Sequence, residues 1–164
     1  MCSRRSKVRQ HIDKLKEFSS SLAKAGDAYW SGQVDVQILA AQAWLAHGQG
    51  SKAEPVKLMR MGADREDNSE KHVAMENRLY PMRELLADLL LEEGDPASAL
   101  NEYEASMKNA PERVRGFYGA AKAAEAVGDK DKAAAYFGKL VGLARDADGD
   151  RAEIREARQF AVAK

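Results

Sequence analysis

The chain has 164 residues, 45% hydrophobic and 32% charged, with a formal net charge of zero. That composition excludes a disordered chain and argues against a dedicated nucleic-acid binder. Alanine occurs 29 times, valine and isoleucine together 12 times and threonine never, while aromatic residues make up 7%; an all-β fold is excluded and an all-α one expected. The single cysteine, Cys2, allows no internal disulfide and no metal site built on several thiolates.

The first expected element is a helix over residues 5–25. Val8, Ile12, Leu15, Phe18 and Leu22 fall on one stripe at spacings of three and four. Residues 1–26 carry seven Lys/Arg against two acids. The basic face, with Arg4, Arg5, Lys7, Arg9, Lys14 and Lys16, is read as solvated rather than as a phosphate or membrane contact, because few aromatics interleave with it. The stripe suits a cap on the following helices or the seam of a homodimer. No apolar h-region follows the basic N-terminus, and no segment approaches transmembrane length, so a cytoplasmic protein without membrane contact is expected.

Gly26-Asp27 closes that helix and caps the next, expected over Ala28 to His47. Gly48 ends it, and Ala53 follows five residues later. Ser51-x-x-Glu54 reads as a capping box for a further helix, with Pro55 distorting its opening turn. Residues 62–79 form a polar stretch, expected to be a long loop. It belongs to an acidic segment, 62–104, with twelve acids against four bases.

From residue 80 the chain repeats itself at a shift of 34 residues. Gly94-Asp95 returns as Gly128-Asp129, Ala87 as Ala121, Ala99 as Ala133, and Tyr103 as Phe137. Each unit reads as helix, Gly-Asp turn, helix. The glycine supplies positive φ at a helix end, the aspartate caps the next helix, and Pro96 takes a first helical position where no N–H is missed. The small alanines allow two helices to approach closely. A last helix is expected over 150–163, opened by Asp150-x-x-Glu153, with Ile154, Ala157, Phe160 and Ala161 on its apolar side.

These residues resemble the tetratricopeptide repeat. The pattern falls on Leu86, Ala87, Leu90, Gly94, Ala99, Tyr103 and Pro111, then on Phe117, Ala120, Ala121, Ala124, Gly128, Ala133 and Phe137. Arg83 stands at the family's early Trp position, and Arg145 at its closing Pro position. Units are placed at about 34–61, 80–113 and 114–146, with residues 1–26 as a separate amphipathic helix and 27–164 as one repeat domain. The resemblance implies a right-handed superhelix of helix–turn–helix units, closed by terminal helices, that binds a protein or peptide in its concave face. On that resemblance the face is lined by Glu84, Asp88, Leu91 and Glu92, by Arg115, Tyr118, Lys122 and Glu125, and by Ile38, Gln42 and Leu45. Glu84 and Asp88 replace the Lys and Asn of the family's carboxylate clamp, so a peptide bearing a basic residue fits better than a free C-terminus. The alternative is that these charges pair among themselves. Ala43-Trp44, Leu58-Met59-Arg60, Glu66-Asp67, Glu70-Lys71-His72 and Arg83-Glu84-Leu85-Leu86 also resemble the C-terminal part of longer bacterial repeat proteins; no activity follows from that.

For catalysis or metal binding the best candidate is His72, flanked by Glu66, Asp67, Glu70 and Glu76, with Glu76 one helical turn away. It lacks a specified third ligand, and a solvated acidic loop explains it better. Asp146-Ala147-Asp148-Gly149-Asp150 fails the calcium-loop template, since its glycine comes too early. Gly48-Gln49-Gly50-Ser51-Lys52 lacks the spacing of a phosphate loop. Neither an enzyme nor a cofactor is expected.

Overall fold

The chain folds into helices, several of them separated by short Gly-Asp turns, and the computed structural model contains no strand among its described residues, 2–69, 80–147 and 151–162. Side chains are described from Arg5 to Phe160 within those segments. The helices are α1 (Cys2–Lys24), α2 (Ala28–His47), α3 (Ala53–Asp67), α4 (Met82–Glu92), α5 (Pro96–Asn109), α6 (Val114–Val127), α7 (Lys130–Leu143) and α8 (Ala152–Val162). None is both long and apolar enough to cross a membrane. The chain forms two compact units, Met1–Glu76 and Asn77–Lys164.

In the first unit α2 packs against both α1 and α3. α2 spans the expected residues, and Asp27 caps it by accepting a hydrogen bond from the Trp30 amide. Of the α1 stripe, Ile12 is buried and Leu15 and Leu22 are half-buried, whereas Val8 and Phe18 are 39% and 60% exposed. Ser19 on α1 donates to Asp35 on α2 at 2.7 Å, and Arg65 on α3 donates to the other oxygen of Asp35 at 3.3 Å. A buried hydroxyl is thereby satisfied, and the three helices are tied by one carboxylate.

Two sequence expectations fail at the α2–α3 turn. Gly48 stays right-handed at φ −63°, and Gly50 takes the left-handed conformation at φ 82°. The register of this helix pair is therefore set by Gly50, two residues later than the equivalence with Gly94 and Gly128 implies. Ala53, which follows Gly48 at the spacing by which Ala99 and Ala133 follow Gly94 and Gly128, is exposed; Pro55 is buried in its place. Counted from the left-handed glycine, the three pairs then agree. Ala43, Ala87 and Ala121 lie buried seven residues before it; Pro55, Ala99 and Ala133 lie buried five residues after it. Met59, Tyr103 and Phe137 follow at nine, each almost wholly buried. The capping box on Ser51 is also absent: Lys52 is the N-cap and makes no side-chain cap bond. With that cap Pro55 occupies the third helical position, where it offers no N–H.

In the second unit each helix packs on the next, from α4 to α8, and α4 also touches α6, as α6 touches α8. Gly94 and Gly128 adopt φ 81° and 84°. Asp95 accepts from the Ser98 amide and Asp129 from the Lys132 amide. Both turns carry the expected chemistry. Phe137, Leu140, Ala144, Ile154 and Ala157 close a core that Phe117, Tyr118 and Phe160 flank. Burying Tyr103 and Phe137 removes each ring from water, contributing ~2–3 kcal/mol apiece. Gly119 on α6 is fitted to Tyr103: a Cβ there would stand 2.2 Å from the ring.

Candidate functional site

The charged positions of α4, α6 and α8 form two hydrogen-bonded clusters, one on Asp88 and one on Glu156. Asp88 on α4 is its first node. One carboxylate oxygen accepts from the Tyr80 hydroxyl at 2.5 Å and from Arg115 of α6 at 2.6 Å; the other accepts from the Tyr103 hydroxyl of α5. The Arg115 guanidinium also stacks 4.6 Å above the Tyr80 ring. Burial, reinforced by the Asp88 contact, pushes the Tyr80 hydroxyl well above its ordinary value and does the same to Tyr103, so both remain donors.

Glu84 lies one turn before Asp88 and has no exposed surface. It accepts from Arg113 Nε at 2.8 Å through Oε1, while its buried Oε2 has no hydrogen-bond partner. Burial raises its pKa against the opposing pull of Arg113. Gly116 makes room for it, since a Cβ there would lie 3.4 Å from Oε1. Arg113 is presented by a turn in which Glu112 holds φ 56°, the sole non-glycine residue with positive φ among the described residues. Glu84 thus underlies the face, and Asp88 is a partly covered hinge of it.

The second node is Glu156 on α8. Its two oxygens accept from the Tyr118 hydroxyl at 2.6 Å and from Lys122 Nζ at 2.9 Å. Lys122 also pairs with Glu125 at 2.9 Å, so one ammonium faces two carboxylates. Hydrogen bonds to Glu125 and Glu156 raise the Lys122 pKa, and the Tyr118 and Lys122 bonds lower that of Glu156. Tyr118 is pushed up to about 12, mainly by burial and then by Glu156. Lys122 and Glu156 each favour the charged form of the other.

Of the residues expected on this face, the structure joins Asp88 to Arg115, and Tyr118 and Lys122 to Glu156, with Glu125 beside Lys122. Arg115 and Lys122 keep 46% and 39% of their side chains exposed. Glu92 is exposed at the end of α4 and Leu91 half-buried. Ile38, Gln42 and Leu45 belong to the first unit, where Ile38 is buried and the other two are half-buried.

Tyr80, Arg113 and Glu156 are partners that sequence reasoning missed. For Glu156 the signal was present: it follows Lys122 by the same 34 residues by which Lys122 follows Asp88. Ile154 and Ala157, both buried, stand likewise one shift after Ala120 and Ala123. No such signal existed for Tyr80 and Arg113, which lie in the segments leading into α4 and α6.

His72, Glu70 and Glu76 lie outside the described residues, as do Asp148, Gly149 and Asp150. Among the described residues no group of three His, Cys, Asp or Glu side chains is arranged to hold a metal ion. Compared with protein-family models and with curated proteins, the chain matches none.

Proposed function

We propose that the chain is a binding module built as a right-handed superhelix of tetratricopeptide-like repeats, and that the face carried by α4, α6 and α8 receives a peptide segment of a partner protein. The observation that carries this reading is the row Asp88, Lys122, Glu156, which recurs at a constant 34 residues on helices that touch one another. A row of alternating charge on successive first helices is a ruler for an extended ligand. Arg115, Tyr118 and Lys122 are its recognition residues, with Asp88, Glu92 and Glu125 beside them and Glu84 beneath. Each listener on this face already has an internal partner, so a ligand binds by exchange: its acids take Arg115 or Lys122, and its bases take the carboxylates released. Lys122 faces two carboxylates, which favours a ligand carrying a basic side chain. The scaffold is pre-formed and loses little ordering entropy on binding. In this reading the protein works in the cytoplasm, without catalysis, cofactor, nucleic acid or membrane.

The test is selection of displayed random peptides on the full chain, followed by affinity measurement with the best of them. Tyr118→Ala and Lys122→Ala should each weaken binding about tenfold, the range of a central anchor. Unchanged affinity in both variants would remove this face from the proposal. A second reading, a homodimer through α1, is favoured by one observation: Phe18 and Val8 of its apolar stripe are exposed.

A further inference from the structure

The first turns of α1 and the last turns of α2 border an open pocket of about 310 Å³ within the first unit. Val8, Ala41, Trp44 and Leu45 form its wall, and Arg5 and Gly48 its rim. Val8 is 39% exposed and Trp44 is half-buried, so the wall leaves apolar surface uncovered. Arg5 is held over the rim by one hydrogen bond, from Nη2 to the Gly48 carbonyl at 2.8 Å. That carbonyl lies at the C-terminal end of α2, where a cation is electrostatically welcome. No carboxylate among the described residues pairs with Arg5. A guanidinium has five N–H donors, and this contact uses one nitrogen.

Size and chemistry narrow the occupant. The volume stands at the lower end of small-molecule pockets, roughly 300–1,000 Å³. Six lining residues are far fewer than the 20–30 or so per side of a stable protein interface. The wall is apolar, and the rim offers one cation held by a helix-end carbonyl and by no carboxylate among the described residues. A ligand that satisfies both has an apolar tail and a single anionic head. We propose that this pocket binds a medium-chain carboxylate, with its tail against Trp44, Leu45, Ala41 and Val8 and its carboxylate on Arg5. The Arg–carboxylate contact is charge-assisted, and it supplies the orientation that an apolar wall alone lacks. This site is independent of the peptide-binding face of the second unit.

The experiment uses the full chain carrying Trp30→Phe, which leaves Trp44 as the only indole of the two. Trp30 contributes its amide to the Asp27 cap, and phenylalanine keeps that amide. Trp44 emission is followed while decanoate is added below its micelle concentration, with 1-decanol and decylamine in parallel. Decanoate should give a saturable change, and decylamine none. Arg5→Gln, at an exposed side chain, should raise the Kd for decanoate about tenfold, the loss of one charge-assisted contact. Ala41→Phe, which fills the pocket, should abolish the change while far-UV circular dichroism stays that of the parent. The absence of a saturable change with decanoate overturns the site. Equal binding of decanol and decanoate, unaffected by Arg5→Gln, overturns the carboxylate assignment.

Discussion

Gly119 and Tyr103 show how much one atom decides at the residue scale. α6 is crowded with alanines, and Ala120, Ala121, Ala123 and Ala124 are all without exposed surface. The Tyr103 ring lies where a side chain at 119 would have to be, 2.2 Å from a Cβ. Helix propensity favours alanine over glycine at an interior position by about 1 kcal/mol. Here the steric term wins, because the ring is buried on all sides and is anchored at its hydroxyl by Asp88. Gly119→Ala should therefore destabilise the protein by about 1–3 kcal/mol, the usual cost of overpacking. Urea unfolding reads this as a lower midpoint at unchanged slope; a higher midpoint would show that propensity governs the site. The same residues explain what sequence could not reveal. Tyr103 was legible as a space-filling ring from its match to Phe137. Its hydroxyl bond to Asp88 was not, because that bond requires α4, α5 and α6 to meet at one point.

Turns carry their information locally, which is why elements were more legible than contacts. Gly26-Asp27, Gly94-Asp95 and Gly128-Asp129 each join a left-handed glycine to a capping carboxylate. Both functions depend on adjacent residues alone, so the sequence suffices to place them. The α2–α3 turn has two glycines and no aspartate, and local chemistry cannot choose between Gly48 and Gly50. The structure chooses Gly50. Gly50→Ala should cost about 1–2 kcal/mol, since alanine resists the left-handed region. Gly48→Ala, at φ −63° with its nearest neighbour 3.4 Å away, should leave stability within about 0.5 kcal/mol of the parent. Thermal melts of the two variants distinguish the positions; equal losses would return the register to Gly48.

For the whole molecule, the all-helical class followed from composition, whereas the polar stretch 62–79, expected to be a loop within one repeat domain, is helical over 62–67, where it completes α3 around buried Ala63 and Glu66. The structure divides the chain at Glu76 and Asn77, inside that stretch. How copies of the molecule associate depends on surfaces that sequence periodicity describes only as a stripe. Ile12 turns inward and Phe18 outward from the same stripe, because helical spacings of three and four drift around the axis and cover more than one neighbour. On the peptide-binding reading, light scattering during size-exclusion chromatography gives 18.0 kDa at every concentration. A mass twice that, returned to the monomer value by Phe18→Lys, would place the homodimer first.

The notch at Gly119 also bears on alignment. A surface of repeated alanines is slippery: α6 could slide or rotate against α5 and present nearly the same profile each time. One turn along, a ring displaced from Gly119 would meet Ala123 or Arg115. Both carry a Cβ, so neither can admit it as deeply. The missing methyl group at Gly119 therefore acts as a keyway for Tyr103, and the other notch on α6, Gly116, is already taken by Glu84, whose Oε1 would lie 3.4 Å from a Cβ there.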